Sequence, residues 1–593
     1  MCGIIGYAGQ EVAAEVLMEG LARLEYRGYD SAGLAVQGDA GIRLCRRAGR
    51  VSALAAALTE EPMKPASVGI AHTRWATHGA PTEANAHPHR YGRVTLVHNG
   101  ILENYDSWRT VLTAEGVTFA SETDTEVLAC LIDRAYAGDP VAAIRHAARQ
   151  MVGSYALAIL FDDHPEAIYG VRRGSPLLVG FGEGENLLAS DRNALLFRTD
   201  RYTVLSEGEI ACVTGEGVTV WDADGAPVEK PVFRSAEGRQ EAELGGYAHF
   251  MEKEMAEGPE AVARTLTACK EEQAASFFRG AHRVVFLACG SAMHASLLGK
   301  RFFESWAGIP AEVHVASEFR YHPPILPENT VAVAVSQSGE TADTLAAVRL
   351  CRERGIPTLG VVNVEGSSLA TLADGVLYTR AGTEIAVATT KAYSAQGALL
   401  ARLAWHLSSE RGSTAEGAPP FGALPAAMRL SESTVNACRT VAEVLARHDH
   451  AFFIGRGRDY PVCMEGALKL KEITYVHSEA YPAGELKHGT ISLIDRGTPV
   501  LALITDRAMR DKTVANVKEC RARGAYVILL LSEDVGEVSA DTYDRRILLP
   551  SGLGELSVLP AAAVFQRIAY EAALRLGRDV DKPRNLAKSV TVE

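Results

Sequence analysis

The sequence predicts a multidomain α/β protein, with a strand-rich N-terminal third followed by two copies of a doubly wound, parallel-sheet domain. Three observations predict it. The chain has 593 residues, and single hydrophobic cores stop growing near ~250–300 residues. From about residue 281 short apolar runs alternate with helical segments, the pattern of a parallel sheet with crossover helices. That pattern then recurs. RVVFLACG (283–290) is answered by HAFFIGRG (450–457), VAVAVSQSG by PVLALITDR, and CRERG (351–355) by CRARG (520–524), at offsets of 167 to 169 residues. Self-similarity at a fixed offset marks a duplicated unit.

Residues 1 to about 225 carry short apolar runs (RVTLVHNG, SYALAILF, LLVGFG) separated by glycines and charged turns, as expected of packed sheets. Over 222–248 the chain becomes polar and rich in Gly and Pro. The expected organisation is a first domain at 2–220, a linker at 221–272, α/β domains at 273–414 and 442–583, and a tail at 584–593. In the first α/β copy, strand RVVFLACG leads into helix SAMHASLLGKRFFESWAG, strand VAVAV, loop SQSGET, helix ADTLAAVRLCRERG and strand TLGVVN. A Pro/Gly/Ser-rich stretch at 408–425 separates the copies. Copy two has Thr-Asp-Arg where copy one has SQSGET, so a phosphate site is expected in copy one only.

A hydrophobic content of 47% with 22% charged residues is ordinary for a folded protein. A net charge of −13 excludes a general nucleic-acid or membrane-surface role, because phosphate backbones repel that field. The ten cysteines show no CxxC and no zinc spacing, which fits a reducing cytoplasm. No basic leader and no apolar run of the ~20 residues that span a bilayer is seen. The expectation from composition is a soluble, cytoplasmic protein, and the site chemistry that the resemblance below implies calls for no metal or organic cofactor.

Cys2 is small enough for the initiator methionine to be removed, leaving a thiol beside a free α-amino group. That amine has an ordinary pKa of roughly 7.7–8.0 and can serve as the base for its own thiol. Taken alone, Cys2 is equally an accident of position. Three polar islands lie beside apolar strand runs: HTRWATHG (72–79), HNGILENY (98–105) and SETDTE (121–126). A site that cleaves a carboxamide needs an oxyanion hole, which Asn99 and the Gly100 amide can supply. Arg74 offers a fork for an α-carboxylate and Asp124 a counter-charge for an α-ammonium. Singly, Asn99-Gly100 is also a turn pair, and Arg74 or Asp124 also suits a surface ion pair.

Together MCGIIGY, RLEYRGYDSAG (23–33) and the three islands resemble the N-terminal-nucleophile glutamine amidotransferase domain over residues 2–220. The resemblance implies a four-layer αββα fold with Cys2 as nucleophile and Asn99 and Gly100 as oxyanion hole. It also implies a glutamine site of Arg74, Trp75, Thr77, His78 and Asp124, with Trp75 gating the exit of ammonia.

In the second half, the hydroxyls of SQSGET (Ser336, Ser338, Thr341) converge on a helix N-terminus, which favours a phosphate. Such loops also cap helices without a ligand. Cys289-Gly290-Ser291 follows the neighbouring strand at the sheet edge where α/β folds bind ligands. In MEGALKLKEITY, Glu465, Lys469 and Glu472 share one helix face, which by default is surface ion pairing. GELKHG adds His488, and the chain ends in DKPRNLAKSVTVE with Lys588, a residue that is ordinarily solvated.

CGSA, SQSGETADT, AGTEIAVATTKAY (381–393), EGALKLKEITY, EAYPAGELKHG and RNLAKSVTVE look like the paired sugar-isomerase (SIS) domains of the isomerizing glutamine:fructose-6-phosphate aminotransferases. The resemblance implies two flavodoxin-like domains that convert fructose 6-phosphate to glucosamine 6-phosphate with nitrogen from glutamine. His488 would open the sugar ring, from the second subunit of a homodimer. Lys588 would form an imine with the C2 ketone, Glu472 would carry a proton from C1 to C2, and Lys469 would assist at the neighbouring oxygen. Cys289, Gly290, Ser291, Ser336, Gln337, Ser338, Thr341, Val387, Thr389 and Ala587 would form the sugar-phosphate set. The chain departs from the family's usual Cys-Gly-Thr-Ser by carrying Ser291-Ala292, and Thr389 stands where serine is common. Two other readings stay open at this stage. A non-catalytic sugar-phosphate sensor should carry a helix-turn-helix domain, and a related amidotransferase would act on a different amino-sugar precursor.

Overall fold

A computed structural model describes residues 2–38, 41–76, 78–234, 243–412 and 417–591. The chain divides into two compact units, residues 1–243 with 589–593, and residues 244–588.

In the first unit two antiparallel sheets stack face to face. The eight-stranded sheet runs, edge to edge, Phe233–Arg234, Arg201–Val204, Leu178–Phe181, Asn186–Ala189, Gly3–Ala8, Val68–Arg74, Ser31–Gly38 and Gly41–Ala48. The six-stranded sheet runs Val218–Trp221, Ile210–Val213, Ile168–Arg173, Gly153–Phe161, Val94–Leu102 and His89–Tyr91. Successive strand residues point to opposite faces, and here both faces are apolar. Ile4, Ala8, Ile70 and Leu188 meet Val97, Ala156, Ala158 and Leu160 of the other sheet. The alternate residues Ile5, Tyr7 and Ala71 pack outward on Val16, Leu17 and Leu21 of the helix Ala13–Ala22. On the far side Leu157, Ile159 and Phe161 pack on Val127, Leu128 and Ile132 of the helix Asp124–Ala135 and Ile144 of the helix Pro140–Ala148. The layers are helix, sheet, sheet, helix, as the resemblance implies.

The second unit holds two five-stranded sheets, parallel throughout. One has the order Ala311–Val315, Arg283–Ala288, Thr330–Ser336, Thr358–Val362, Gly375–Tyr378. The other has the order His477–Pro482, His450–Gly455, Pro499–Ile504, Tyr526–Ser532, Arg545–Leu549. Counted from its own first strand, each is a 2-1-3-4-5 sheet, so the duplication extends to topology. Strands buried on both faces read as unbroken apolar runs, which is why RVVFLA and YVILLLS lack alternation. One core joins the copies: Leu298 and Phe302 of the helix Gly290–Ser305 share it with Leu470 and Ile473 of the helix Asp459–Thr474. The segment read as linker contains the 19-residue helix Phe250–Ala268, whose Met251 and Val262 enter that same core.

Candidate active sites

In the first unit strand register assembles the site. Gly3 pairs with Thr73, so Cys2 falls level with the end of the strand that closes on Arg74. The Trp75 N–H donates to Cys2 Sγ at 3.3 Å, and Sγ lies 3.5 Å from the Trp75 carbonyl oxygen. Asn99 reaches across from the second sheet, its Nδ2 donating to the Cys2 carbonyl oxygen at 2.9 Å. Gly100 follows at φ +138°, and a Cβ there would stand 2.0 Å from the Ser154 carbonyl oxygen. Only glycine fits that turn of the strand, and the turn sets the direction of its amide. Burial pushes the Cys2 thiol up, while the Trp75 N–H and Arg74 act in the opposite sense.

Arg74 is buried, with its guanidinium donating to the carbonyl oxygens of His78, Gly79 at 3.2 Å and Ala80 at 3.3 Å. It is not the surface ion pair left open by the sequence; it holds the following loop. Asp124 opens its helix and accepts from the Leu102 N–H at 2.9 Å, with His98 Nδ1 at 3.7 Å. The His78 ring meets Tyr105 edge-on with centroids 5.0 Å apart, and Trp75 meets Tyr29 likewise at 5.9 Å. Thr77 lies outside the described residues.

Sequence reasoning missed four buried histidines behind these groups: His72, His87, His89 and His98. His72 stacks on His87 at 4.1 Å, and Thr125 Oγ1 stands 3.1 Å from His87 Nε2 and 3.2 Å from His98 Nδ1. Burial pushes His72 and His89 down to about 3, so both are neutral imidazoles. The signal for His72 and His98 was that they continue the apolar runs VGIA and VTLV of buried strands, whereas His87 and His89, just before and at the start of the strand His89–Tyr91, carried none.

In the second unit the first and third strands of each sheet are adjacent, and the crevice at their carboxyl ends is where such folds bind ligands. In copy one Cys289-Gly290-Ser291 leaves one of these strands and Gln337-Ser338 the other. The SQSGET loop is tied to itself: Ser336 Oγ accepts from the Gly339 N–H at 3.0 Å and lies 3.1 Å from Thr341 Oγ1. Gly339 has φ +69°, and a Cβ there would meet Ser367 Oγ at 2.2 Å. Thr341 is the N-cap of the helix Ala342–Glu353, yet its side chain makes no capping bond. In copy two the equivalent crevice is filled from within. Asp459 is fully buried and accepts from the Thr505 N–H at 3.0 Å and from its hydroxyl. Burial raises Asp459 to about 6, against the Thr505 bonds. Arg458 donates to the Thr505 carbonyl oxygen at 2.6 Å. A carboxylate of the chain thus takes the Thr505 donors, at the end of the strand that answers the one before SQSGET.

Glu465, Lys469 and Glu472 are not surface ion pairs. Glu465 and Lys469 are each 1% exposed, with Lys469 Nζ 2.5 Å from Glu472 and 3.5 Å from Glu465. Glu465 also joins the copies, accepting from Ser291 Oγ at 2.9 Å and lying 2.8 Å from His294 Nδ1. The Ser291 hydroxyl is thus engaged by Glu465. Burial raises Glu472, against the pull of Lys469.

The Lys588 side chain is likewise enclosed, 5% exposed: its Nζ ion-pairs with Glu384 and lies 3.2 Å from Thr389 Oγ1. Glu384 accepts from the Thr390 and Ala392 N–H groups at 2.9 and 3.2 Å. Burial works against its charge, but Lys588 holds it below the usual carboxylate range. Val387 bonds Asp581 through its N–H at 3.0 Å, and Ala587 is half-buried beside Lys588. A further group, absent from the sequence reading, is Glu254 of the supposed linker, which accepts from the Ile385 and Ala386 N–H groups. Burial, then Glu384, raises it to about 8. Lys588 also acts electrostatically on Glu472, and Glu384 on Lys469, so the two groups form one cluster. His488 is exposed on the turn Glu485–His488; no hydrogen bond or ion pair among the described residues joins it to that cluster.

Comparison with known proteins decides between the open readings. A glutamine amidotransferase domain model matches residues 72–197, and an SIS domain model matches twice, at 277–405 and 444–574. Full-length relatives named glutamine–fructose-6-phosphate aminotransferase (isomerizing) cover 100% of both chains. They are 49% identical over 611 positions in Symbiobacterium thermophilum and 46% over 607 in Thermus thermophilus. The chain belongs to the isomerizing glutamine–fructose-6-phosphate aminotransferase family. The solved C-terminal domain of such an aminotransferase from Francisella tularensis is 33% identical with a TM-score of 0.55, covering 57% of this chain and 99% of that one. A tagatose-6-phosphate ketose/aldose isomerase fold from Clostridium novyi, at 17% identity and TM-score 0.50, shares the fold of the same half. Membership in the family, with an amidotransferase model matched as well, removes the sensor reading.

Proposed function

We infer that the chain makes glucosamine 6-phosphate from fructose 6-phosphate and glutamine, releasing glutamate. After loss of Met1, the Cys2 amine takes the thiol proton and Sγ attacks the glutamine carboxamide carbon. Asn99 Nδ2 and the Gly100 N–H hold the oxyanion. The C–N bond breaks, ammonia leaves with the proton held by the amine, and water hydrolyses the thioester to glutamate. Arg74 and Asp124 take the α-carboxylate and α-ammonium of glutamine, with Trp75, Thr77 and His78 as the further glutamine-binding residues. Arg74 must then exchange its loop carbonyls for substrate, so glutamine binding reorders 78–80.

In the second half the loops carrying Cys289, Gly290, Ser291, Ser336, Gln337, Ser338 and Thr341 hold the phosphate end, and Val387, Thr389 and Ala587 line the sugar. His488, from a second copy of the chain in a homodimer, opens the ring. Lys588 condenses with the C2 ketone and loses water. Ammonia displaces Lys588 from the imine, and Glu472 moves a proton from C1 to C2 with Lys469 at the adjacent oxygen. A carboxylate shielded from bulk water suits a proton shuttle between neighbouring carbons. The ten free cysteines favour a reducing cytoplasm as its setting.

What supports the reading most is the buried amine of Lys588, in contact with Glu384 and Thr389 and within electrostatic reach of Glu472. Borohydride added with fructose 6-phosphate should add one hexose phosphate to Lys588. A Lys588→Ala variant that still formed amino sugar would overturn the assignment.

A further inference from the structure

His72 has no part in the steps above, although it sits two residues before Arg74 with its ring fully buried. Its Nε2 lies 3.0 Å from the His98 carbonyl oxygen and 3.0 Å from Asn99 Oδ1. The other end of the same carboxamide donates from Nδ2 to the Cys2 carbonyl oxygen at 2.9 Å. A carbonyl oxygen only accepts, so the group facing Cys2 is the NH₂ and the group facing His72 is the oxygen. A ring nitrogen between two acceptors must carry the hydrogen. The imidazole is therefore the Nε2–H tautomer with a bare Nδ1, and Nδ1 has no hydrogen-bond partner among the described residues. Burial, then Arg74, keeps the ring neutral, so its proton stays on Nε2 throughout the working pH range.

We propose that His72 is the positioning residue of amide cleavage: its Nε2–H fixes the Asn99 carboxamide with Nδ2 turned toward Cys2. The two ends of a carboxamide are nearly the same size, and a flipped Asn99 would set an oxygen against the developing oxyanion. His72 and the Cys2 carbonyl anchor the two ends in one sense, so the donor is aimed before substrate arrives. The His87 ring stacked 4.1 Å from His72 keeps the imidazole plane from turning. This rests on the reading of the first unit as a glutamine-cleaving site.

The test uses the full chain with fructose 6-phosphate present. His72→Phe keeps an aromatic ring without a donor, and His72→Gln restores an N–H at the same reach. Glutamate release gives kcat and KM, and the rate of Cys2 alkylation by iodoacetamide reports an intact, accessible thiol. The proposal expects His72→Phe to lose roughly 10–100-fold in kcat, with KM within about three-fold and alkylation near wild type, and His72→Gln to recover most of the loss. It is overturned if His72→Phe keeps kcat within about two-fold, if KM and alkylation deteriorate together with kcat, or if His72→Gln is as slow while alkylating normally. Wild-type protein that releases no glutamate sinks the amidase reading itself and His72's role with it.

Discussion

Cys2 meets the Trp75 peptide on both its donor and its acceptor sides, which fixes the thiol's rotamer before substrate arrives. Burial alone would make it a poor nucleophile, so the chemistry needs the amine freed by loss of Met1. The purified chain should therefore weigh one methionine less than the full sequence by intact mass. Cys2→Ala should release no glutamate yet still form the Lys588 imine with fructose 6-phosphate. Glu254 makes a different prediction. Its pKa rises from an ordinary 4.5 to about 8, so the folded state binds the proton more tightly than the unfolded chain. That stability is full below the unfolded value, falls as pH rises from 4.5 toward 8, and levels off above. Glu254→Gln keeps a neutral group of the same size, so its thermal midpoint should drop less than wild type between about pH 5 and pH 8. Equal drops in scanning calorimetry would show that Glu254 does not titrate there. Neither Glu254 nor His72 was legible as functional. One sits in a polar segment read as linker, and the other continues an apolar strand run like any core residue. Position 2 and the flanking motifs made Cys2, Arg74 and Asn99 legible, because their residue types match what a carboxamide requires.

At the scale of elements, Glu465 clamps the helix Asp459–Thr474 to the helix Gly290–Ser305 through Ser291 and His294. Removing one member of a buried charged cluster costs about 3–5 kcal/mol, because the partners stay desolvated. Glu465→Ala should therefore destabilise the second unit by that amount in urea unfolding and leave glutamate release by the first unit intact. An unchanged midpoint would mean the cluster is solvated. The parallel strands were readable from their unbroken apolar runs, and the duplication from matching strands at one offset. Burial of the Glu465–Lys469–Glu472 face was not, since the same i, i+4, i+7 spacing describes an exposed helix. What separates the two cases is the neighbouring helix, which lies about 170 residues away in sequence. The asymmetry of the copies was readable in the SQSGET loop, whereas the occupation of the second crevice by Asp459 required the Thr505 contacts.

For the whole molecule, an amide-cleaving unit and a sugar-phosphate unit share one chain, with Cys2 and Lys588 as the nucleophiles proposed for them. Full-length identity near one half to relatives named for this reaction sits beside one departure in the sugar loop, Ala292. The Ser291 hydroxyl donates to Glu465, so it already has a partner within the chain. Ala292 itself is half-buried against the shared core, where a methyl suits its surroundings. The claim that the two units serve one reaction is tested by supplying glutamine labelled with ¹⁵N in the amide, together with fructose 6-phosphate, and following the label by mass spectrometry. The account predicts glucosamine 6-phosphate carrying ¹⁵N in step with glutamate, with the labelled amino sugar lost in Lys588→Ala. Glutamate formed with the ¹⁵N released as free ammonia, and no labelled amino sugar, would contradict it.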